Sequence, residues 1–149
     1  MIIDAHAQLL VNEADLWKPA GLFATTELVV TKKLLDERPD VVRGLIEGQV
    51  ATTDWINQHS QDARTAAGSA LVNLTNSKLS EPVLEAAWGR LTFTVDPLAA
   101  TFKKEAANAQ RAGLVSGTNL NGILDLRQLN AVLKADGKPP VSSAGLGPA

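Results

Sequence analysis

Apolar residues recur at three- and four-residue steps through most of the chain after residue 31. That spacing places them along one face of a helix, so it predicts a series of amphipathic helices. Residues that cap helices, or that suit a first helical turn as proline does, divide the series. In chain order these start signals are Thr31, Pro39, Ser60, Ser80, Asp96 and Asp125.

The last predicted helix spans residues 126–135 and carries the clearest apolar stripe. Its members recur at three- and four-residue steps and are Leu126, Leu129, Val132 and Leu133. We expect this stripe to dock the helix on the rest of the protein. Gly113 and Gly137 are expected to end the last two helices. The tail, residues 142–149, consists mostly of small residues, and we expect it to be disordered.

Two stretches have the pattern of strands. Residues 26–30, in the sequence TTELVVT, are rich in apolar and β-branched side chains, which predicts a buried strand. A shorter stretch, RLTFT, follows at residues 90–94. Two short strands do not make a stable sheet by themselves, so the strands would need partners from elsewhere. The pattern therefore predicts a helix-rich α/β chain with two or three short strands.

Composition narrows the range of functions. The 149 residues are 45% hydrophobic and carry a formal net charge of -2, as expected for one domain with a core. Because no basic excess can neutralise a phosphate backbone, nucleic acid is not an expected partner. The chain has no cysteine, which excludes disulfides and thiolate metal sites.

The first ten residues, MIIDAHAQLL, raise the question of whether the chain is a metal-dependent hydrolase. Such enzymes often place His-x-His after an apolar strand, and here Asp4 and His6 would share a strand face. Gln8 stands where the second histidine would be, and the only other histidine is His59. A metal needs three or four ligands, so we expect neither a metal site nor a cofactor. Since no Gly-x-Ser-x-Gly motif or coupled Ser-His-Asp set is visible either, we expect no enzyme activity.

A longer succession of motifs resembles a known family. The motifs are, in order, NEADLW, TTELVVTKKLLDERPDVVRGLIEG, ATTDWIN, AWGRLTFTVDPLAATFKKEA and LNGILDLRQLNAVLKADGKPPV. Their order and spacing, from residue 8 to residue 141, resemble the carboxy-terminal half of substrate-binding proteins of ABC importers for nitrate, sulfonates and taurine. The similarity is greatest to the aliphatic-sulfonate branch. Lys18, which precedes Pro19, departs from the family pattern.

The resemblance implies a fold and a role. Family members have the type II periplasmic-binding-protein fold, two α/β lobes with ligand between them. Residues 1–141 would then be a partial, helix-rich lobe, and residues 142–149 a tail. The implied partners are a small alkanesulfonate-like anion, an ABC permease and a missing amino-terminal lobe. Family proteins work in the periplasm or at the cell surface. The residues after Met1 lack the pattern of a signal peptide, so we expect none in this chain.

The resemblance also indicates ligand-binding residues. Thr25 and Thr26 stand where the family chain crosses between lobes, and hydroxyl groups can bind a sulfonate without a full countercharge. Trp17 lies in a loop that can reach a cleft, whereas Trp55 and Trp88 fit helix cores. A purely local role for the two threonines, favouring β structure, remains open at this stage. Without upstream partners, residues 26–30 would also promote self-association through a strand edge.

Two alternatives remain open from the sequence. The first is a relative of the same fold that acts in thiamine-pyrimidine biosynthesis, a chemistry that would need clustered histidine and cysteine. The chain has two histidines and no cysteine, which argues against it. The second is a truncated product without a ligand.

Overall fold

A computed structural model describes residues 10–18 and 20–149. Within them all regular secondary structure is helical, and a short 3₁₀ turn at Glu13–Leu16 precedes six α-helices. The helices are α1 Lys32–Glu37, α2 Pro39–Gln58, α3 Ser60–Thr75, α4 Glu81–Trp88, α5 Ala99–Arg111 and α6 Arg127–Ala135. Among these helices, none combines the length and apolar character that crossing a membrane requires.

Three of the predicted helix starts are confirmed. Thr31 caps α1, and its hydroxyl oxygen accepts the Leu34 backbone N–H at 3.1 Å. Pro39 is the first residue of α2, where its missing N–H has no cost. Ser80 occupies the N-cap position of α4. Local signals within one turn therefore place these helices correctly.

Two other starts differ from the prediction. Ser60 is the first residue of α3 rather than its cap, and its hydroxyl oxygen accepts the indole N–H of Trp88 at 2.8 Å. The Asp96 carboxylate accepts the backbone N–H of Leu98 at 2.8 Å. Leu98 itself is the N-cap of α5, in a left-handed conformation with φ of 52°. Asp96 thus bonds just outside the helix, because the chain turns once more before α5 begins.

The predicted α/β fold is wrong for the part of the chain that the structure describes. Residues 26–30 and 90–94 form no strand there. Leu28 is 53% exposed and Val29 82% exposed, so the first stretch is not buried either. A strand exists only when a neighbour satisfies its backbone groups, and no such neighbour lies among residues 10–18 and 20–149. The expectation of a type II binding-protein lobe, which requires an α/β fold, is therefore also wrong for these residues.

The chain divides into two compact units, which are described separately. The α3–α4 unit contains residues 10–12 and Ala51–Thr94. The α6 unit contains Glu13–Val50 and Val95–Ala149. Helix α2 runs through the division, which falls after Val50.

In the α3–α4 unit, two helices meet at a small contact. Leu84 of α4 is 9% exposed and packs against Gly68 of α3. A Cβ at Gly68 would lie 2.9 Å from Cδ2 of Leu84, so the missing side chain permits the approach. Beside this contact, the Arg64 guanidinium lies 3.1 Å from the Glu81 carboxylate and 3.3 Å from that of Glu85. The unit is thus joined by one leucine and a forked ion pair.

The α6 unit has a larger apolar core, in two clusters. Leu126, Val132 and Leu133 are 6%, 4% and 1% exposed, and Leu129 packs against both clusters, so the predicted α6 stripe is confirmed. The buried members of the clusters are Ala99, Leu124, Leu126 and Leu146 in one, and Val50, Val132 and Leu133 in the other.

Polar groups fix both ends of α6. Asp125 accepts the Arg127 backbone N–H at 3.3 Å and pairs with its guanidinium, although Leu126 holds the N-cap position. The hydrogen bond from the Arg127 side chain, more than any other factor, holds the pKa of Asp125 below its usual range. At the other end Gly137 has φ of 69°, and the Lys138 N–H donates to the Leu133 carbonyl at 2.8 Å. This is the expected glycine stop, a Schellman motif.

The tail, residues 142–149, is packed rather than disordered. Leu146 is 2% exposed within the first core cluster. The backbone N–H of Leu126 donates to the Pro148 carbonyl at 2.8 Å. A Cβ on Gly147 would lie 1.8 Å from the Leu124 carbonyl oxygen, so only glycine fits there. The expectation from small-residue composition fails because small residues permit this close backbone approach.

Candidate functional site

Trp17 packs the first loop of the α6 unit against helix α5. Its side chain is 7% exposed and stacks on Phe23, with ring centroids 5.1 Å apart. The ammonium of Lys104 lies 4.3 Å from the centre of the Trp17 ring and donates to the Leu16 carbonyl oxygen. Gly21 closes the loop by donating to the Trp17 carbonyl at 2.6 Å. In this structure Trp17 therefore serves packing, and little of it is accessible to a ligand.

Thr25 and Thr26 follow this loop and are exposed. The residue before them, Ala24, is held by α5, since its N–H donates to the Glu105 carboxylate at 3.2 Å. The Thr101 hydroxyl donates to the same carboxylate oxygen at 2.6 Å and so orients it. The two exposed hydroxyl groups therefore lie at the start of an open segment, next to a residue, Ala24, that is hydrogen-bonded to helix α5.

The backbone beyond these threonines is also open. Within the described part of the chain, the N–H and C=O groups of residues 25–30 make no hydrogen bond to another residue. No turn or bend interrupts residues 21–31. The segment therefore combines exposed hydroxyl groups with exposed backbone donors, the groups that can bind acceptor oxygens without a positive charge.

Carboxylates determine the electrostatics of this segment. Burial raises the pKa of Glu27 above its ordinary value, and the nearby charges of Glu105 and Asp96 raise it further. These negative groups oppose an approaching anion. Two cations, Lys32 and Lys33, follow at the start of α1, where both are exposed. The described residues thus supply neutral donors for an anion, but only on one side and beside carboxylates.

Sequence reasoning missed the contribution of helix α5. The pattern TFKKE places Thr101 and Glu105 four residues apart, on one helix face. The sequence alone could therefore have indicated that these two side chains interact. Nothing local indicates that this face meets Ala24, because 81 residues separate Ala24 from Glu105.

A groove also lies in the α3–α4 unit. It has a volume of about 360 Å³ and is lined by Ile56, Asn57, Ser60, Trp88, Gly89, Leu91, Thr92 and Phe93. Two of its polar side chains make internal hydrogen bonds, since Ser60 accepts from Trp88, and Asn57 donates to the Phe93 carbonyl at 3.1 Å. The hydroxyl groups of Ser60 and Thr92 are the remaining side-chain donors, and no charged side chain lines the groove, so it has few polar groups with which to bind a ligand.

The remaining tryptophans and histidines have structural surroundings. Trp88 is half-buried and lies 4.9 Å from the Phe93 ring. Trp55, expected in a helix core, is 43% exposed and stacks on His59. Residues 10–18 and 20–149 contain no group of three or more histidine or acidic side chains that could hold a metal ion. His6 and Asp4, the residues that raised the metal question, lie outside the described residues.

Comparison of the chain with protein-family models, curated proteins and solved structures gives no match. The motif succession in the sequence and the geometry of residues 17, 18 and 20–33 are therefore the two observations on which a function can be argued.

Proposed function

We propose that the chain is a substrate-binding part of an ABC importer for aliphatic sulfonates or a related small anion, and that it binds without catalysis. One observation carries the proposal: five motifs resemble the sulfonate-binding family in the same order, from residue 8 to residue 141. Its partners would be the anion, a permease and a second lobe. Its place of action would be the periplasm or the cell surface.

The geometry at Thr25 and Thr26 supports an anion ligand. Both residues are exposed, and the backbone N–H groups beside them are open. A sulfonate spreads one negative charge over three acceptor oxygens, so neutral donors suit it and no metal or organic cofactor is needed. Of the two lysines a few residues further along, Lys32 already pairs with Asp36 at 3.0 Å, so Lys33 is the one that favours an anion over a cation.

The same geometry argues that a second wall is required. The donors line an exposed face, and the carboxylates of Glu27 and Glu105 lie close by. Affinity for a small anion needs donors from both sides and the removal of water. We therefore propose that the amino-terminal partner supplies the second wall and covers this segment when the ligand binds, because the covered state binds the ligand more tightly.

Calorimetric titration tests the proposal. The chain alone should bind methanesulfonate weakly, and adding the separately expressed amino-terminal lobe of a sulfonate-binding protein should bring the affinity to about micromolar. Replacing both hydroxyls, by Thr25→Val with Thr26→Val, should weaken that binding by about tenfold or more. Thr118→Val, at an exposed threonine in another irregular stretch, is the matched control.

Two outcomes would contradict the proposal. Absence of sulfonate binding with the lobe present would remove the function itself. Tight binding by the monomeric chain alone would show that the site is complete without a second wall. If the chain alone binds tightly, the threonine variants and the Thr118 control would show whether residues 25 and 26 take part.

A further inference from the structure

Residues 25–30 have the chemistry of a strand and no strand partner. Leu28 and Val29 are 53% and 82% exposed, and the backbone groups of the segment make no hydrogen bond within the described part of the chain. At about 3.3 Å per residue, six residues offer a ribbon of roughly 20 Å. An exposed apolar ribbon with open N–H and C=O groups is a template for pairing with another chain.

Both ends of the ribbon are anchored. Ala24 donates its N–H to the Glu105 carboxylate at 3.2 Å, and Thr31 caps α1 by accepting the Leu34 N–H at 3.1 Å. These anchors hold the segment in place while it is open. Binding a partner strand therefore orders little additional chain, which lowers the entropic cost of association.

We propose that residues 27–31, from the end of this segment to the cap of α1, pair antiparallel with the same residues of a second copy of this chain, forming a two-fold dimer. The pairing is isologous, so each backbone hydrogen bond and each side-chain contact occurs twice. Leu28, Val29 and Val30 would leave water in both copies, which adds apolar burial to the backbone ladder.

Charge complementarity selects this occupant and this direction. Glu27 lies near the start of the ribbon, and Lys32 and Lys33 follow its end. An antiparallel pair centred on Val29 sets Glu27 opposite Thr31 of the second copy, two residues from that copy's Lys33; Lys32, between them, already pairs with Asp36 at 3.0 Å. Parallel pairing would instead set each Glu27 against the other, and like charges directly opposite are destabilising.

The dimer should dissociate on dilution, because a two-stranded ribbon alone is only marginally stable in water. Sedimentation equilibrium of the full chain should show a reversible monomer–dimer transition. A monomer at every concentration would overturn the proposal. Open-ended fibres would overturn it as well, since they would show unlimited stacking rather than a closed pair.

Proline substitutions test the backbone ladder. Consecutive N–H groups point to opposite edges of a strand, so only one of Leu28→Pro and Val29→Pro removes a bond to the partner. That variant should weaken dimerisation by about tenfold or more, because the loss occurs in both copies. Val115→Pro, at another exposed valine in an irregular stretch of the same unit, is the control. Equal dimerisation by all three variants, with unchanged helical circular dichroism, would overturn the proposal.

Cysteine placement tests the direction, on a chain that has no cysteine of its own. Val29→Cys lies at the two-fold axis and should cross-link the dimer through a short thiol-reactive reagent. Thr25→Cys should not, because antiparallel pairing separates the two copies of residue 25 by about 26 Å. Equal cross-linking at both positions would indicate parallel pairing and overturn the proposal. None of these readouts needs a sulfonate, so a failure of the dimer can be told apart from a failure of the proposed function.

Discussion

The α3–α4 unit and the α6 unit bury their apolar residues to different extents. In the α6 unit, two clusters enclose Val50 and Leu133, which are 2% and 1% exposed. In the α3–α4 unit, Leu84 is the largest buried apolar side chain at 9% exposure, while Leu74 of α3 is 82% exposed. The α6 unit is held by many overlapping apolar contacts, and the α3–α4 unit by a few specific ones.

The difference bears on how the two units resist unfolding. Apolar burial contributes in proportion to area, and overlapping contacts compensate for one another. Ion pairs with partly exposed partners, such as Arg64 with Glu81 and Glu85, contribute little each, and salt screens them. We therefore expect the α3–α4 unit to open at lower free energy than the α6 unit, as hydrogen exchange would measure.

Removing a leucine from each unit should give the largest contrast. Leu133→Ala deletes a side chain that is 1% exposed and should lower the free energy of unfolding by about 2–5 kcal/mol. Leu74→Ala, at a leucine that is 82% exposed, should change it by no more than about 0.5 kcal/mol. Urea denaturation measures both. Similar losses for the two variants would show that the burial contrast does not govern stability.

Glycine substitutions sharpen the contrast at a finer scale. Gly48→Ala meets nothing within 4 Å and should stabilise helix α2 by up to about 1 kcal/mol. Gly68→Ala should lose that gain, because its Cβ would lie 2.9 Å from the buried Leu84 side chain. The midpoints of urea unfolding should therefore move apart. An equal gain at both sites would mean that α3 and α4 approach less closely than described.

The smallest expected effect is a pH dependence in the α6 unit. Burial, with Glu105 and Asp96 nearby, raises the pKa of Glu27 in the folded state. The folded state then binds this proton more tightly than the unfolded state, so stability falls as pH rises from the ordinary glutamate pKa through the raised one. Glu27→Gln should remove that fall and so gain stability relative to wild type as pH increases.

Urea midpoints measured across this pH range would check the Glu27 effect, with Glu37→Gln at an exposed position of α1 as control. If the Glu27 variant and the control showed the same pH profile, the carboxylates around Glu27 would not interact as the structure indicates.

The sequence by itself determined where most helices lie. Thr31, Pro39 and Ser80 mark helix starts through bonds and φ angles that span one turn. The α6 stripe likewise follows from spacing alone, and its burial is confirmed. For the candidate site, Thr25 and Thr26 could be named from the resemblance, but whether they bind a ligand stays a prediction.

Only the tertiary structure decided the fate of segments whose partners are distant along the chain. Residues 26–30 have strand propensity, yet no neighbour among the described residues pairs with them, so they remain open. The anchor between Ala24 and Glu105 spans 81 residues, and Leu146 is buried in a cluster built from other segments. Capping and periodicity are properties of neighbouring residues, whereas burial and strand pairing depend on which distant surface is available to meet them.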